Sequence, residues 1–355
     1  MIKYLKYELK KHLWLFLLLS VIVAVPYVTH VSTMTMTRVL EYDYQYREIV
    51  YSPNLTFVVT ELIFLTFLMP IFMYSFKMNK RGVDAYYALP LTKERLYFVK
   101  TLVGLFLVIV PFTIGYWMGF FALLVRPNNP YFMGWYIPAY FGFVAYAVLL
   151  FGFNAFVYTR ANRVWDGIVF MIAYAFVGVL VLSYIELVAH HSIWGYVDET
   201  FMTFGGMVSF ARCMESLIRY SSNSVLWNAW MFVVPAVYGA VGYFLLFYML
   251  RYEKGENAEQ ISNSWFGYRL LIPLYTALVM GCNSYGGLFD LVLIIIAEIV
   301  VTIVYRNKFR FSWKYWLMIV GSIILGMFLG LLTEWTLPPP VNSPDQMFMT
   351  LGYLL

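Results

Sequence analysis

Long apolar runs alternate along the chain with short segments that hold nearly all of its charge. A helix needs roughly 20 mostly apolar residues to cross the hydrocarbon core of a bilayer. Nine runs approach that length: 12–32, 55–74, 101–123, 137–158, 167–188, 225–250, 268–282, 287–305 and 315–335. They are continuous, whereas barrel strands would alternate apolar and polar side chains over about 10 residues. The predicted fold class is all-α, a polytopic membrane protein of about nine transmembrane helices.

Composition agrees. Of 355 residues, 62% are hydrophobic and 12% charged, and the mean hydropathy is +0.72. Soluble domains carry about 25% charged residues and about 45–50% apolar ones. Disorder would require low hydrophobicity and high net charge, and Cys213 and Cys282 are too few for a disulfide scaffold. Nothing in their spacing demands that these two pair, and two free thiols are expected. An aromatic content of 21% suits a chain that passes repeatedly through lipid interfaces.

Charge changes the picture through its placement rather than its net value of +5. With the N-terminus inside, 19 of the 24 Lys and Arg fall in inner segments and five in outer ones, which sets the orientation. The same bias retains 268–282 as a span although it is short and broken by Pro273: otherwise Arg306, Lys308 and Arg310 would face outward. The first apolar run exceeds a signal h-region and lacks an A-x-A-like site, so it reads as an uncleaved anchor.

The segments between spans carry the chemistry. In residues 1–11, Ile2, Leu5 and Leu9 form one helical stripe with Lys3, Lys6, Lys10 and Lys11 largely off it. Such a helix lies along the inner interface with its lysines at anionic lipid headgroups; a simple topogenic charge cluster is the plainer alternative. The inner loop 75–100 predicts a short helix over 79–88 that exposes Lys80, Arg81 and Asp84 and presents Tyr86 and Tyr87. Pro90 disfavours helix at Leu89 and ends it. Thr92 is placed to cap the next helix, with Glu94 in the first turn, where the helix dipole favours an acid. A short helix held between two spans by a proline corner is what a docking knob for a cytosolic partner requires.

The run Tyr87-Ala88-Leu89-Pro90-Leu91-Thr92-Lys93-Glu94-Arg95-Leu96, followed by Lys100 and Gly104, resembles the loop after the second span of type-2 ABC exporter permeases. Those proteins carry an SLP-(I/L)-(S/T)-R type sequence there; here Ala88 replaces the Ser and the Arg comes later, at Arg95. The stretch Leu250-Arg251-Tyr252-Glu253-Lys254-Gly255-Glu256-Asn257-Ala258 resembles the charged linker of a Gram-positive subgroup, with its Gly–Ala order disturbed. In layout the likeness covers residues 1–260; in motif it covers the two loops alone.

The resemblance implies an interfacial helix at 1–11, a six-span permease core at 12–250 with its coupling loop at 75–100 and an outer insertion at 189–224, and an inner charged linker at 251–267. Three additional spans follow at 268–335, then an outer tail at 336–355. It implies that Lys80, Arg81, Asp84, Tyr86, Tyr87, Leu89, Pro90 and Arg95 receive the ATPase. No G-x-x-x-x-G-K-[ST] loop occurs in the chain. ATP and Mg are therefore expected on cytosolic ABC ATPase subunits, with no cofactor on this chain, no catalytic residue and no metal site. A second permease subunit, identical or paralogous, and membrane lipid are the other expected partners, and nucleic acid is not one. The expected place is a bacterial cell membrane, crossed many times, with the N-terminus cytoplasmic.

Ionisable residues inside spans are costly and point to function by default. Glu61, with Thr60 and Thr56, is expected to line the translocation path, or else to be hydrogen-bonded between packed helices. Glu298 and Asp290 read as buried polar residues, Glu298 as a tie between helices. Glu186 and His190 share a helical face beside His191, a metal- or pH-sensing arrangement or, more plainly, a solvated helix end. Neither H-E-x-x-H nor G-x-S-x-G occurs, so no enzyme signature competes. Export of amphipathic cargo, whether peptide, peptide antibiotic or lipid, is the expected function. A proton-coupled secondary transporter, or a sensing or immunity protein that moves nothing, is the alternative.

Overall fold

The computed structural model describes residues 2–33, 56–125, 136–191, 230–252, 255–262, 264–282, 288–306 and 313–336. Among these residues all regular secondary structure is helical. The elements are α1 (Ile2–Lys11), α2 (Leu13–Thr33), α3 (Thr56–Tyr74), α4 (Lys80–Tyr87), α5 (Lys93–Val125), α6 (Tyr136–Thr159), α7 (Val164–His191), α8 (Trp230–Met249), α9 (Leu270–Cys282), α10 (Leu288–Arg306) and α11 (Trp313–Thr336). Short 3-10 turns at Ser75–Met78, Leu250–Tyr252 and Gly255–Asn257 join them, and a π-helical turn at Trp265–Arg269 leads into α9.

Among the described residues five helical stretches are long and apolar enough to cross a membrane: Val58–Met78, Lys93–Val125, Ala139–Thr159, Trp265–Cys282 and Tyr315–Leu332. A sixth is added if α1 and α2, bent by 56° at their junction, count as one span. Val164–Val177 and Ala236–Met249 are apolar but shorter. The chain is thus a helical protein with several helices long and apolar enough to span a membrane, and its described residues hold fewer of these than the nine spans expected. Residues 192–224 of the outer insertion, Cys213 among them, and 337–355 of the tail lie outside the described residues. So do the side chains of Thr56, Glu186, His190 and His191.

The helices form two compact units, Met1–Val179 with Glu199–Leu271, and Leu180–Asp198 with Ile272–Leu355. In the first, α2 packs along α5, α6 along α8, and α3 against both α5 and α6. Lipid tails are as apolar as leucine, so helices in a membrane associate through close packing and hydrogen bonds rather than through hydrophobic exclusion. Both devices are present. Tyr27 of α2 and Tyr136 of α6 share a 2.6 Å hydroxyl–hydroxyl bond, and the Tyr116 hydroxyl of α5 donates to the Tyr136 carbonyl at 2.7 Å.

Between α6 and α8 the backbones nearly touch. A Cβ at Gly242 would stand 2.7 Å from the Phe153 Cα, and one at Gly239 would stand 2.6 Å from the Leu149 Cα. Backbone cannot swing aside as a side chain can, so Gly242→Val should separate the two helices at a cost of at least about 2 kcal/mol. A lowered unfolding temperature in detergent, beside an unchanged one for Gly321→Val, where a Cβ meets nothing within 4 Å, checks this.

α5 has 33 residues and is therefore about 50 Å long. A hydrocarbon core of about 30 Å leaves roughly 20 Å over. Its charged first two turns, Lys93 to Lys100, occupy that overhang and position the site described next.

Candidate functional site

Local sequence builds α4. Asn79 is extended at φ −119°, ψ 127°, and its side chain accepts from the Arg81 N–H at 3.0 Å, satisfying a donor that the first helical turn leaves open. At the other end the Ala88 N–H reaches the Asp84 carbonyl at 3.1 Å, and the chain turns through Leu89 and Pro90. Thr92 Oγ1 accepts from the Arg95 N–H at 3.4 Å as α5 begins. Lys80, Arg81, Asp84, Pro90 and Arg95 are exposed, while Tyr86, Tyr87 and Leu89 are half-buried.

Tyr86 faces inward, where it meets a charge cluster that joins three helices. Glu8 of α1 is fully buried and Lys100 of α5 is 2% exposed. Lys100 Nζ donates to Glu8 Oε2 at 2.8 Å and to the Tyr86 hydroxyl at 3.3 Å, and it lies 4.5 Å from the centre of the Tyr86 ring. Lys11 Nζ, at the end of α1, donates to the same hydroxyl at 2.7 Å. Tyr4 fills the other oxygen of Glu8 at 2.6 Å, and the Phe76 ring packs tilted against Tyr86 with ring centres 4.6 Å apart.

Burial alone would push the Glu8 carboxyl up. The nearby His12 ring, hydrogen bonds from Lys100 and Tyr4, and the Lys100 charge outweigh it and bring the pKa down to about 2. Of these, Lys100 supplies the permanent charge. His12 Nε2 stands 3.4 Å from Oε2 without hydrogen-bond alignment and adds to the attraction only when protonated. The carboxylate in turn raises the Tyr4 hydroxyl, after burial, well above its ordinary range and keeps it a donor.

The linker seals the remaining side of α4. Gly255 lies so close that a Cβ there would meet Val83 Cγ1 at 2.7 Å, and Tyr87 packs beside it under the Lys93 ammonium, 4.9 Å from the ring centre. Glu259 holds the left-handed conformation at φ 68°, unusual for a residue with a side chain. From there its N–H donates to the Asn162 carbonyl at 3.0 Å and its carbonyl accepts from Arg163 Nε at 2.8 Å. Its carboxylate accepts from the Lys80 N–H at 3.3 Å. Ser262 Oγ donates to the Arg160 carbonyl at 2.8 Å, and Lys77 to the Thr159 carbonyl.

The structure thus brings the predicted residues of loop 75–100 into one platform with α1 and the linker, and uses them unequally. Glu8, Lys100 as its counter-ion and Glu259 are the members that reading by segment missed. A lone acid among lysines at 8 and a lone lysine entering a greasy helix at 100 were the available signals. Glu61 lies elsewhere, half-buried in α3 with Thr60 exposed beside it. Asp290, expected to be buried, is instead exposed in the first turn of α10, where the helix N-terminus favours an acid, and Glu298 is buried in the second unit. Among the described residues no group of three or more His, Cys, Asp or Glu could hold a metal ion. No protein-family model, curated protein or solved structure matches the chain.

Proposed function

We propose that this chain is the membrane subunit of an ATP-driven ABC exporter, a nine-span protein of a bacterial cell membrane with a type-2 six-span core and a cytoplasmic N-terminus. ATPase subunits in trans bind and hydrolyse ATP with Mg, a second permease subunit completes the path, and amphipathic peptide, peptide antibiotic or lipid is the cargo. Glu61, Thr60 and Thr56 line part of that path.

The observation that carries this reading is the fixing of α4. A helix of eight residues has little stability of its own, yet this one is capped at its start and buttressed by α1, α5 and the linker. Its outer face, meanwhile, leaves Lys80, Arg81 and Asp84 free of burial. A part that must transmit a push needs that combination of a firm seat and an open face.

Arg81→Glu with Tyr87→Ala should reduce co-purification of the ATPase at least about tenfold, as truncation of a central charged and aromatic contact does at interfaces. Arg81→Glu alone, at an exposed position, keeps the fold intact and should show the same direction. Undiminished capture of the ATPase by both variants would remove the docking role.

A further inference from the structure

The second unit holds a buried carboxyl that the exporter reading does not use. Glu298 is 4% exposed, on the face of α10 opposite the exposed Val292, Ile296 and Val300. Ser322 of α11 is also 4% exposed, and its Oγ lies 2.8 Å and 3.0 Å from the two carboxyl oxygens and 2.7 Å from the Ile319 carbonyl. Thr276 of α9 is buried near the same carboxyl, and its Oγ1 lies 3.1 Å from the Ile272 carbonyl. Thr302, one turn from Glu298 on α10, is buried too.

A hydroxyl has one hydrogen to give. If Ser322 donates to the Ile319 carbonyl, its contact to Glu298 requires the carboxyl to be the donor, while Thr276 keeps its bond to the Ile272 carbonyl. It is then a neutral acid whose O–H points to Ser322 Oγ. If the proton leaves, both hydroxyls can rotate and donate to the carboxylate. Ile319 and Ile272 keep their backbone amide partners, so neither carbonyl is orphaned. The same atoms therefore satisfy both protonation states without moving a helix.

Along the described residues of α9, α10 and α11 the formal charges stand well away from this pair. α9 has no formally charged residue, and Asp290, Arg306 and Lys314 stand eight residues from Glu298 or Ser322 along their helices, about 12 Å away. The other titratable side chains nearby in sequence on these helices are Tyr275, Cys282, Tyr305 and Tyr315, with Tyr184 on the adjoining part of α7. We infer that Glu298, with Ser322 and Thr276, is an exchangeable-proton site: the acid gives its proton to water and regains it, the two hydroxyls turning to follow. This does not depend on the exporter reading, since no residue of the α4 platform takes part.

Dicyclohexylcarbodiimide attacks protonated carboxyls in apolar surroundings. Applied to the full chain in liposomes, with the labelled peptide identified by mass spectrometry, it should modify Glu298 and do so progressively less in samples held at higher pH. Glu298→Gln should abolish the modification at that peptide alone. Ser322→Ala removes a donor to the ionised form and should leave about tenfold more label at the alkaline end, as a hydrogen bond lost from the charged state predicts. Labelling that is absent from Glu298 or indifferent to pH, or that Ser322→Ala leaves unaltered, would overturn the inference.

Discussion

Glu8→Leu should destabilise the first unit by about 3–5 kcal/mol, because it leaves the Lys100 ammonium buried without its counter-charge. Lys100→Met should cost a similar amount for the opposite reason, stranding a carboxylate that is fully buried. The two changes together should return most of the loss, since a buried ion pair replaced by apolar side chains of similar size is often neutral. Thermal unfolding of the four proteins in detergent measures the coupling, and strictly additive losses would show that the pair does not act as one unit. Acid should mimic the single change. The Glu8 pKa is lowered from 4.5 to about 2, so its contribution is complete above about pH 4.5 and is lost as pH falls from there through about 2. Glu8→Leu should flatten that part of the stability profile.

Gly82→Ala should destabilise α4, although alanine in place of a helical glycine ordinarily gains about 0.8–1 kcal/mol. The added Cβ would lie 2.5 Å from the Phe76 carbonyl oxygen and 3.1 Å from its Cα, both backbone atoms. Relief requires α4 and the turn at Ser75–Met78 to part, and the Phe76 ring carries Tyr86 with it. The expected cost is about 1–3 kcal/mol. It should be read as faster hydrogen exchange over Lys80–Tyr87 and, if the exporter proposal holds, as weakened ATPase capture with Arg81 intact. A stabilised variant would mean that α4 is not seated as described.

What could be read from the sequence followed the range of the forces involved. The end of α4 and the start of α5 were legible because Pro90 and Thr92 act on their own backbone neighbours, whereas the Asn79 cap emerged only in the structure. The apolar stripe of Ile2, Leu5 and Leu9 was legible as periodicity. The other face of α1 was not: Glu8 meets Lys100 across 92 residues of sequence, and only tertiary packing decides which lysine it chooses. Tyr86 shows the same limit. Amphipathicity placed it on an exposed helix with Tyr87, whereas Lys11, Lys100 and Phe76 draw it inward. Span counting met a different obstacle. Ala236–Met249, with Val237, Val241 and Phe244 exposed, is apolar but shorter than the run from which a crossing was expected.

The left-handed turn at Glu259 has a bearing on mutational scanning. Of its three attachments, one is main chain to main chain, to Asn162, and the others pair a side chain with a neighbour's backbone. Truncating Glu259 or Arg163 singly removes one strand of a threefold lashing and leaves the others tied. A survey made one residue at a time would score this junction as permissive, and its redundancy would be mistaken for unimportance.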